Sequence, residues 1–226
     1  MHHGANVETT SIEGLTAAAY LFGPRRPRSS QVEFIDILAC NSFSQFDAQD
    51  GDGWTTLHRA AAWGTSADVR KLLDLSVSVN QRSYKLDWTP IFCAVCFNNM
   101  DTLRELWDSC EDIQPESSRD ARGWNLLHIA AGYGNFEAIP YLLKRGVNLH
   151  ERSIATTSLV PSAIRGQCVT PSEVARSCGM EAYARWIEAL DAVGAEVDIR
   201  HDKVNWMLDY SAGRLGKCEC CDVWDE

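Results

Sequence analysis

The sequence predicts an all-α solenoid of stacked helix-turn-helix units, and three observations carry that prediction. A nine-residue block recurs, as Gly53-Trp54-Thr55-Thr56-Leu57-His58-Arg59-Ala60-Ala61, Asp87-Trp88-Thr89-Pro90-Ile91-Phe92-Cys93-Ala94-Val95 and Gly123-Trp124-Asn125-Leu126-Leu127-His128-Ile129-Ala130-Ala131, with a shorter match at Val169-Thr170-Pro171-Ser172-Glu173-Val174-Ala175. The spacing is regular: 34 residues separate Trp54 from Trp88, 36 separate Trp88 from Trp124, and 45 separate Trp124 from Val169, where an insertion is implied. Downstream of the blocks, Leu72-Leu73, Leu106-Trp107 and Leu142-Leu143 fall at matching offsets. With Val69 and Ile139 they form apolar stripes of helical period. No single unit can bury such a stripe, so neighbours must stack.

Each motif residue has a physical task. Thr55, Thr89, Asn125 and Thr170 are good N-caps, whose side-chain oxygen satisfies an orphan backbone N–H. Pro90 and Pro171 follow at the first helical position, where a missing N–H costs nothing. Ala60-Ala61 and Ala130-Ala131 are small enough for adjacent inner helices to approach closely. Gly64, Asn98, Gly134 and Gly179 follow the inner helices, where a left-handed residue is expected.

Together these residues resemble the ankyrin signature, in which Thr-Pro-Leu-His is followed by alanines. The resemblance implies paired helices with β-hairpin-like fingers, about four to five repeats and a C-terminal cap. On that reading residues 1–8 are the end of a partial repeat, and repeats run at about 9–48, 49–82, 83–118, 119–152 and 168–198. The partial repeat suggests derivation from a longer array, so a structural fragment of a larger ankyrin protein is one reading. Loop insertions are expected at 23–30, which is Pro- and Gly-containing and basic, and at 151–168, which is rich in Ser and Thr. The outer helix of the last repeat should be about one turn longer than its counterparts. Residues 199–226 match no repeat; Val204, Trp206, Met207 and Leu208 suit a capping helix before a Cys-containing tail.

Composition narrows the function classes. The 226 residues are 45% hydrophobic and 23% charged, ordinary for a chain with a packed core. A formal net charge of −10 argues against nucleic-acid binding, which needs a basic surface. No run approaches the length needed to cross a membrane, and the N-terminus lacks a secretory pattern. Nine cysteines, several in helical apolar patterns, fit buried reduced thiols, so a cytoplasmic or nuclear location is expected. Cys218, Cys220 and Cys221 form a tight cluster, with Cys218 and Cys221 spaced C-x-x-C and His201 available. A second such pair is missing, and the expectation is no metal and no cofactor.

The resemblance implies that a partner is held on the concave side, made of finger tips and inner helices. Carried over position by position, the residues facing it are Trp54, Trp88 and Trp124, just before the caps, and Trp63, Phe97 and Tyr133, near the inner-helix ends. Two readings stand for these two aromatic ladders: a binding surface, or rings stacked on one another as packing. On the first, changing Trp88 and Phe97 to Ala removes binding and leaves the fold. Asp52 and Asp87 are free to meet a basic group, whereas Asp120 is expected to bond its own turn. His58 and His128 are structural in this family, and Phe92 replaces the histidine in one unit. No catalytic constellation accompanies them. The leading expectation is therefore a scaffold or adaptor, not an enzyme, for a protein with a basic or extended segment. The rival is a small-molecule-binding protein or enzyme using the same groove.

Overall fold

The computed structural model describes residues 6–25, 28–110, 113 and 118–195. Within them the chain is all-helical, with no strand among the described residues. Five helix pairs follow one another. The first is a short 3-10 helix (Ala19–Leu21) and α1 (Val32–Cys40). Then come α2 (Thr56–Trp63) with α3 (Ser66–Asp74), and α4 (Pro90–Cys96) with α5 (Met100–Ser109). The fourth pair is α6 (Leu126–Tyr133) with a 3-10 turn (Phe136–Ala138) leading into α7 (Ile139–Lys144), and the fifth is α8 (Pro171–Ser177) with α9 (Met180–Asp191).

Local chemistry starts the inner helices. Thr55, Asn125 and Thr170 each accept from the backbone three residues on, and His58, His128 and Glu173 return a bond to the cap amide. Thr89 has the same extended cap geometry but makes no side-chain cap bond; Pro90 starts that helix instead. At 12 residues α9 is the longest described helix, as the spacing predicted.

Stacking then buries the stripes. Inner helices pack α2 on α4, α4 on α6 and α6 on α8; outer helices pack α1 on α3, α3 on α5 and α7 on α9. One continuous core results, from Ile35 and Leu57 through Leu72, Ile91, Leu106, Leu127 and Leu142 to Val174 and Trp186. Three outer junctions also close on ion pairs: Lys71 with Asp36 at 2.5 Å, Arg70 with Glu105 at 2.7 Å, and Arg145 with Asp108.

Fingers project between the pairs. Each is closed at its base by a backbone bond: Asp50 N to Trp54 O, Ser83 N to Trp88 O, Asp120 N to Trp124 O and Ser153 N to Val169 O, at 2.9–3.0 Å. Each also leans on its predecessor, through Gly51 N to Glu13 O, Tyr84 N to Asp52 O, Ala121 N to Leu86 O and Ile154 N to Arg122 O, at 2.9–3.1 Å. The 151–168 insertion is thus a lengthened finger with a 3-10 turn, Ser162–Ile164, inside it. The 23–30 insertion runs between the two helices of the first pair. Arg28 from it donates to the carbonyls of Phe97 (2.8 Å) and Asn98 (3.4 Å), at the end of α4.

Gly64 corrects an expectation. Asn98 and Gly134 are left-handed, at φ 49° and 73°, but Gly64 has φ −87° and is extended. It is glycine because of crowding: a Cβ there would meet Ala60 O at 2.8 Å and the Phe22 ring at 3.0 Å. No described helix is long and apolar enough to cross a membrane. The proposed cap, His201 and the Cys218/Cys220/Cys221 tail lie outside the described residues, as do residues 1–5 of the partial repeat and Arg26 and Pro27 of the basic insertion.

Candidate partner-binding surface

Three aromatic rings from two units converge where finger bases meet inner-helix ends. Trp54 precedes the cap of α2, Trp63 ends α2, and Phe97 follows α4. Trp54 and Trp63 stack with centroids 5.6 Å apart; Phe97 meets Trp63 at 4.9 Å and Trp54 at 6.0 Å, edge-on. All three rings are half-buried and form one continuous apolar cluster. Arg59 lies 5.9 Å above Trp63, and its charge is met by Asp50 at 2.6 Å. Asp50 in turn accepts from the Trp54 and Asp52 amides at 2.9 and 3.0 Å, so it fixes the finger that carries Trp54.

The other two finger tryptophans are not on the surface, which corrects the expectation of open ladders. Trp88 is 4% exposed and Trp124 is 2% exposed. The cause is Arg122, whose guanidinium lies 3.7 Å from the Trp124 ring centroid and 6.0 Å from that of Trp88. Asp120 holds this arginine through Oδ2 at 2.6 and 2.8 Å, and the same oxygen accepts from Trp88 Nε1 at 3.1 Å. Tyr133 covers the Trp88 edge at 5.9 Å, and Val174 and the bare Gly132 backbone close on Trp124. Trp88 and Trp124 therefore belong to the core, and Trp88→Ala would damage the fold rather than spare it. Tyr133 itself is 47% exposed at the rim of this sandwich.

Asp52 and Asp87 are exposed on the fingers, with Asp87 at φ 56° and 3.8 Å from Arg82. Asp120 is buried and bonds its own turn through the Arg122 and Trp124 amides at 2.8 and 3.0 Å, as expected. Sequence reasoning missed Arg59 and Arg122. The available signal was an arginine near each buried turn aspartate, nine residues on from Asp50 and two on from Asp120.

Both histidines are engaged in the scaffold. The His58 Nδ1 accepts from the Thr55 amide at 3.1 Å, so Nε2 carries the proton and donates to Trp88 O at 2.8 Å. His128 repeats the arrangement with Asn125 at 3.2 Å and Val169 O at 2.8 Å. Burial pushes their pKa values down, to about 4 for His58 and about 3 for His128. Each is thus a neutral strut between one unit and the next finger. Burial likewise pushes the Cys96 thiol up to about 12.

Stacked helix pairs, capped starts, histidine struts and laddered fingers define a repeat architecture, and comparison with known families decides which. A family model for ankyrin repeats (3 copies) matches residues 79–153, and another for ankyrin repeats (many copies) matches residues 15–73. The chain belongs to the ankyrin-repeat family. The two ankyrin spans together cover more than half of it. Among curated relatives, it is 32% identical over 121 residues to the transient receptor potential cation channel subfamily A member 1 of Homo sapiens, covering 54% of this chain and 10% of that protein. It is 26% identical over 132 residues to alpha-latrotoxin-Lg1a of Latrodectus geometricus, 58% of this chain and 9% of the toxin. It is 28% identical over 158 residues to the tyrosine-protein kinase Shark of Drosophila melanogaster, 70% of this chain and 15% of the kinase. The chain therefore spans only about a tenth of the length of these relatives. Ankyrin repeats generally mediate protein–protein interaction and are typically non-enzymatic.

Proposed function

We propose that this ankyrin array is a protein-binding scaffold or adaptor that anchors an apolar side chain of an extended partner segment on Trp54, Trp63 and Phe97. The observation that supports it is the half-burial of three mutually contacting rings on the face where ankyrin arrays hold their partners. Large aromatics left partly open in a contiguous patch favour association, because covering them removes apolar area from water. Asp52 and Asp87 sit on the finger edge and suit basic residues flanking that anchor. Tyr133 extends the surface toward the fourth repeat.

A separate cavity of about 210 Å³ is lined by Asn80, Arg82, Thr89, Ile91, Phe92, Ile113 and Ser118. The test is a pull-down from the native source with the wild-type chain and Trp63→Ala/Phe97→Ala, followed by titration of the captured partner. The double variant is expected to lose at least about tenfold in affinity with its thermal melt nearly unchanged. Undiminished affinity would remove the aromatic cluster from the account.

A further inference from the structure

The chain just before α1 is tied to the two units that follow it. Arg28 donates to the carbonyls of Phe97 and Asn98, beyond the end of α4 in the third unit. Closer to α1, the Gln31 amide donates to Asp68 Oδ1 at 2.5 Å, and the Ser30 hydroxyl donates to the same oxygen at 3.3 Å. Residues 28–31 therefore form a strap laid over the start of α3. Asp68 is fully buried and has a second task. Its Oδ2 accepts from the Thr65 amide and the Thr65 hydroxyl, both at 2.8 Å, which closes the capping box of α3. The carboxylate is thus fixed by α3, while Arg28, Ser29 and Ser30 are exposed and outside any helix.

Two features meet at Ser30. Arg25, Arg26 and Arg28 precede it closely, in a chain of net charge −10. Kinases choose acceptors by charge pattern, and a kinase with an acidic substrate groove selects arginine just before the acceptor hydroxyl. That hydroxyl, in turn, lies against the buried carboxylate that holds the strap. We infer that Ser30 is a phosphorylation site for an arginine-selecting serine/threonine kinase, and that phosphate there releases the strap from the second and third units. In the transfer the γ-phosphoryl group of ATP moves to Ser30 Oγ. The Oγ–P bond forms, the bond from the γ-phosphorus to the bridging oxygen breaks, ADP leaves, and the hydroxyl proton passes to the kinase's catalytic carboxylate. Modified Ser30 has lost its donor and carries a charge of about −2 beside Asp68. Because α3 fixes Asp68, the repulsion displaces the strap. Arg28 also gains a charged acceptor two residues away, which outcompetes two neutral carbonyls. Kinase and scaffold compete for Arg28, so modification takes place on the lifted segment and then keeps it lifted. Ser29 Oγ instead accepts from Gln31 Nε2 at 3.2 Å, so Asp68 distinguishes the two serines.

The full chain, incubated with ATP, Mg2+ and the catalytic fragment of protein kinase C, tests this by mass spectrometry and hydrogen exchange. Phosphate is expected on Ser30 of the wild type, and Ser30→Ala removes that phosphopeptide. In the modified chain the Gln31 amide should exchange at least about tenfold faster, while the Val69 amide inside α3 keeps its protection. Unmodified Ser30→Ala should keep Gln31 protected, since the amide bond to Asp68 remains; this separates added charge from loss of the hydroxyl. A Ser30 that takes up no phosphate overturns the inference, as does phosphate placed on Ser29 in its stead. So does a phosphorylated Ser30 that leaves Gln31 exchange as slow as before, or that opens Val69 equally, or a Ser30→Ala chain that exchanges Gln31 as fast as the modified one.

Discussion

His58 donates its Nε2 proton to the Trp88 carbonyl at 2.8 Å, so the third unit's finger hangs from the second unit's inner helix. His128 holds the Val169 carbonyl in the same way. Both bonds need a neutral ring: Nδ1 must accept from the cap amide while Nε2 donates.

That requirement predicts an acid transition. The folded-state pKa values, about 4 and about 3, lie below the ordinary 6.5, so the unfolded chain binds more protons between them. The contribution is complete above pH 6.5 and is lost as pH falls toward 4 and then 3, at about 1.4 kcal/mol per pH unit per histidine. Urea unfolding at pH 7 and pH 5 checks this. His58→Phe, which copies Phe92 of the next unit, should be less stable at pH 7 but lose less on acidification. Equal losses in variant and wild type would contradict a neutral His58.

Asp120 is the counter-ion that allows Arg122 to sit between two tryptophans. Its removal in Asp120→Ala leaves a nearly buried guanidinium unpaired and frees Trp88 Nε1. The expected loss is about 3–5 kcal/mol by chemical denaturation. Arg59 is more open than Arg122, so Asp50→Ala should cost less.

The finger tryptophans should separate into two kinds. Trp124→Ala opens a cavity in the core and should cost about 3–5 kcal/mol. Trp63→Ala, on a half-buried ring, should cost clearly less in the same denaturation series. Equal costs would mean that the aromatic cluster is packing and not an open surface.

Gly64→Ala tests crowding rather than backbone strain. Its φ of −87° suits alanine, but the new Cβ would press on Ala60 O and Phe22. Destabilisation of about 1–3 kcal/mol is expected, centred on the junction of the first two units and visible as faster amide exchange there. A stabilised variant would show that the glycine is there for another reason.

The repeat, its caps and its helix periods were legible because they depend on local chemistry at fixed spacing. Thr55 with His58 and Thr170 with Glu173 are three-residue events that any reader of the chain meets in order. The site was only half legible. Trp54, Trp88 and Trp124 occupy the same motif position, and nothing adjacent to them distinguishes the open one from the covered two. Their fates differ because Arg122, held by Asp120, lies against both Trp88 and Trp124, whereas Arg59, held by Asp50, lies over Trp63 and not over Trp54. Gly64 misled for a different reason: what requires it is space beside the Ala60 carbonyl of its own helix and the Phe22 ring of the neighbouring unit, not a left-handed backbone.

Hydroxyl-radical footprinting with mass spectrometry measures the open cluster most directly, on the free chain and on the chain saturated with its captured partner. In the free protein Trp54, Trp63 and Phe97 should be modified readily while Trp88 and Trp124 are protected, and partner binding should protect the first three. Modification of Trp88 and Trp124 as fast as Trp63, or a bound partner that leaves Trp54, Trp63 and Phe97 as reactive as before, would contradict the account.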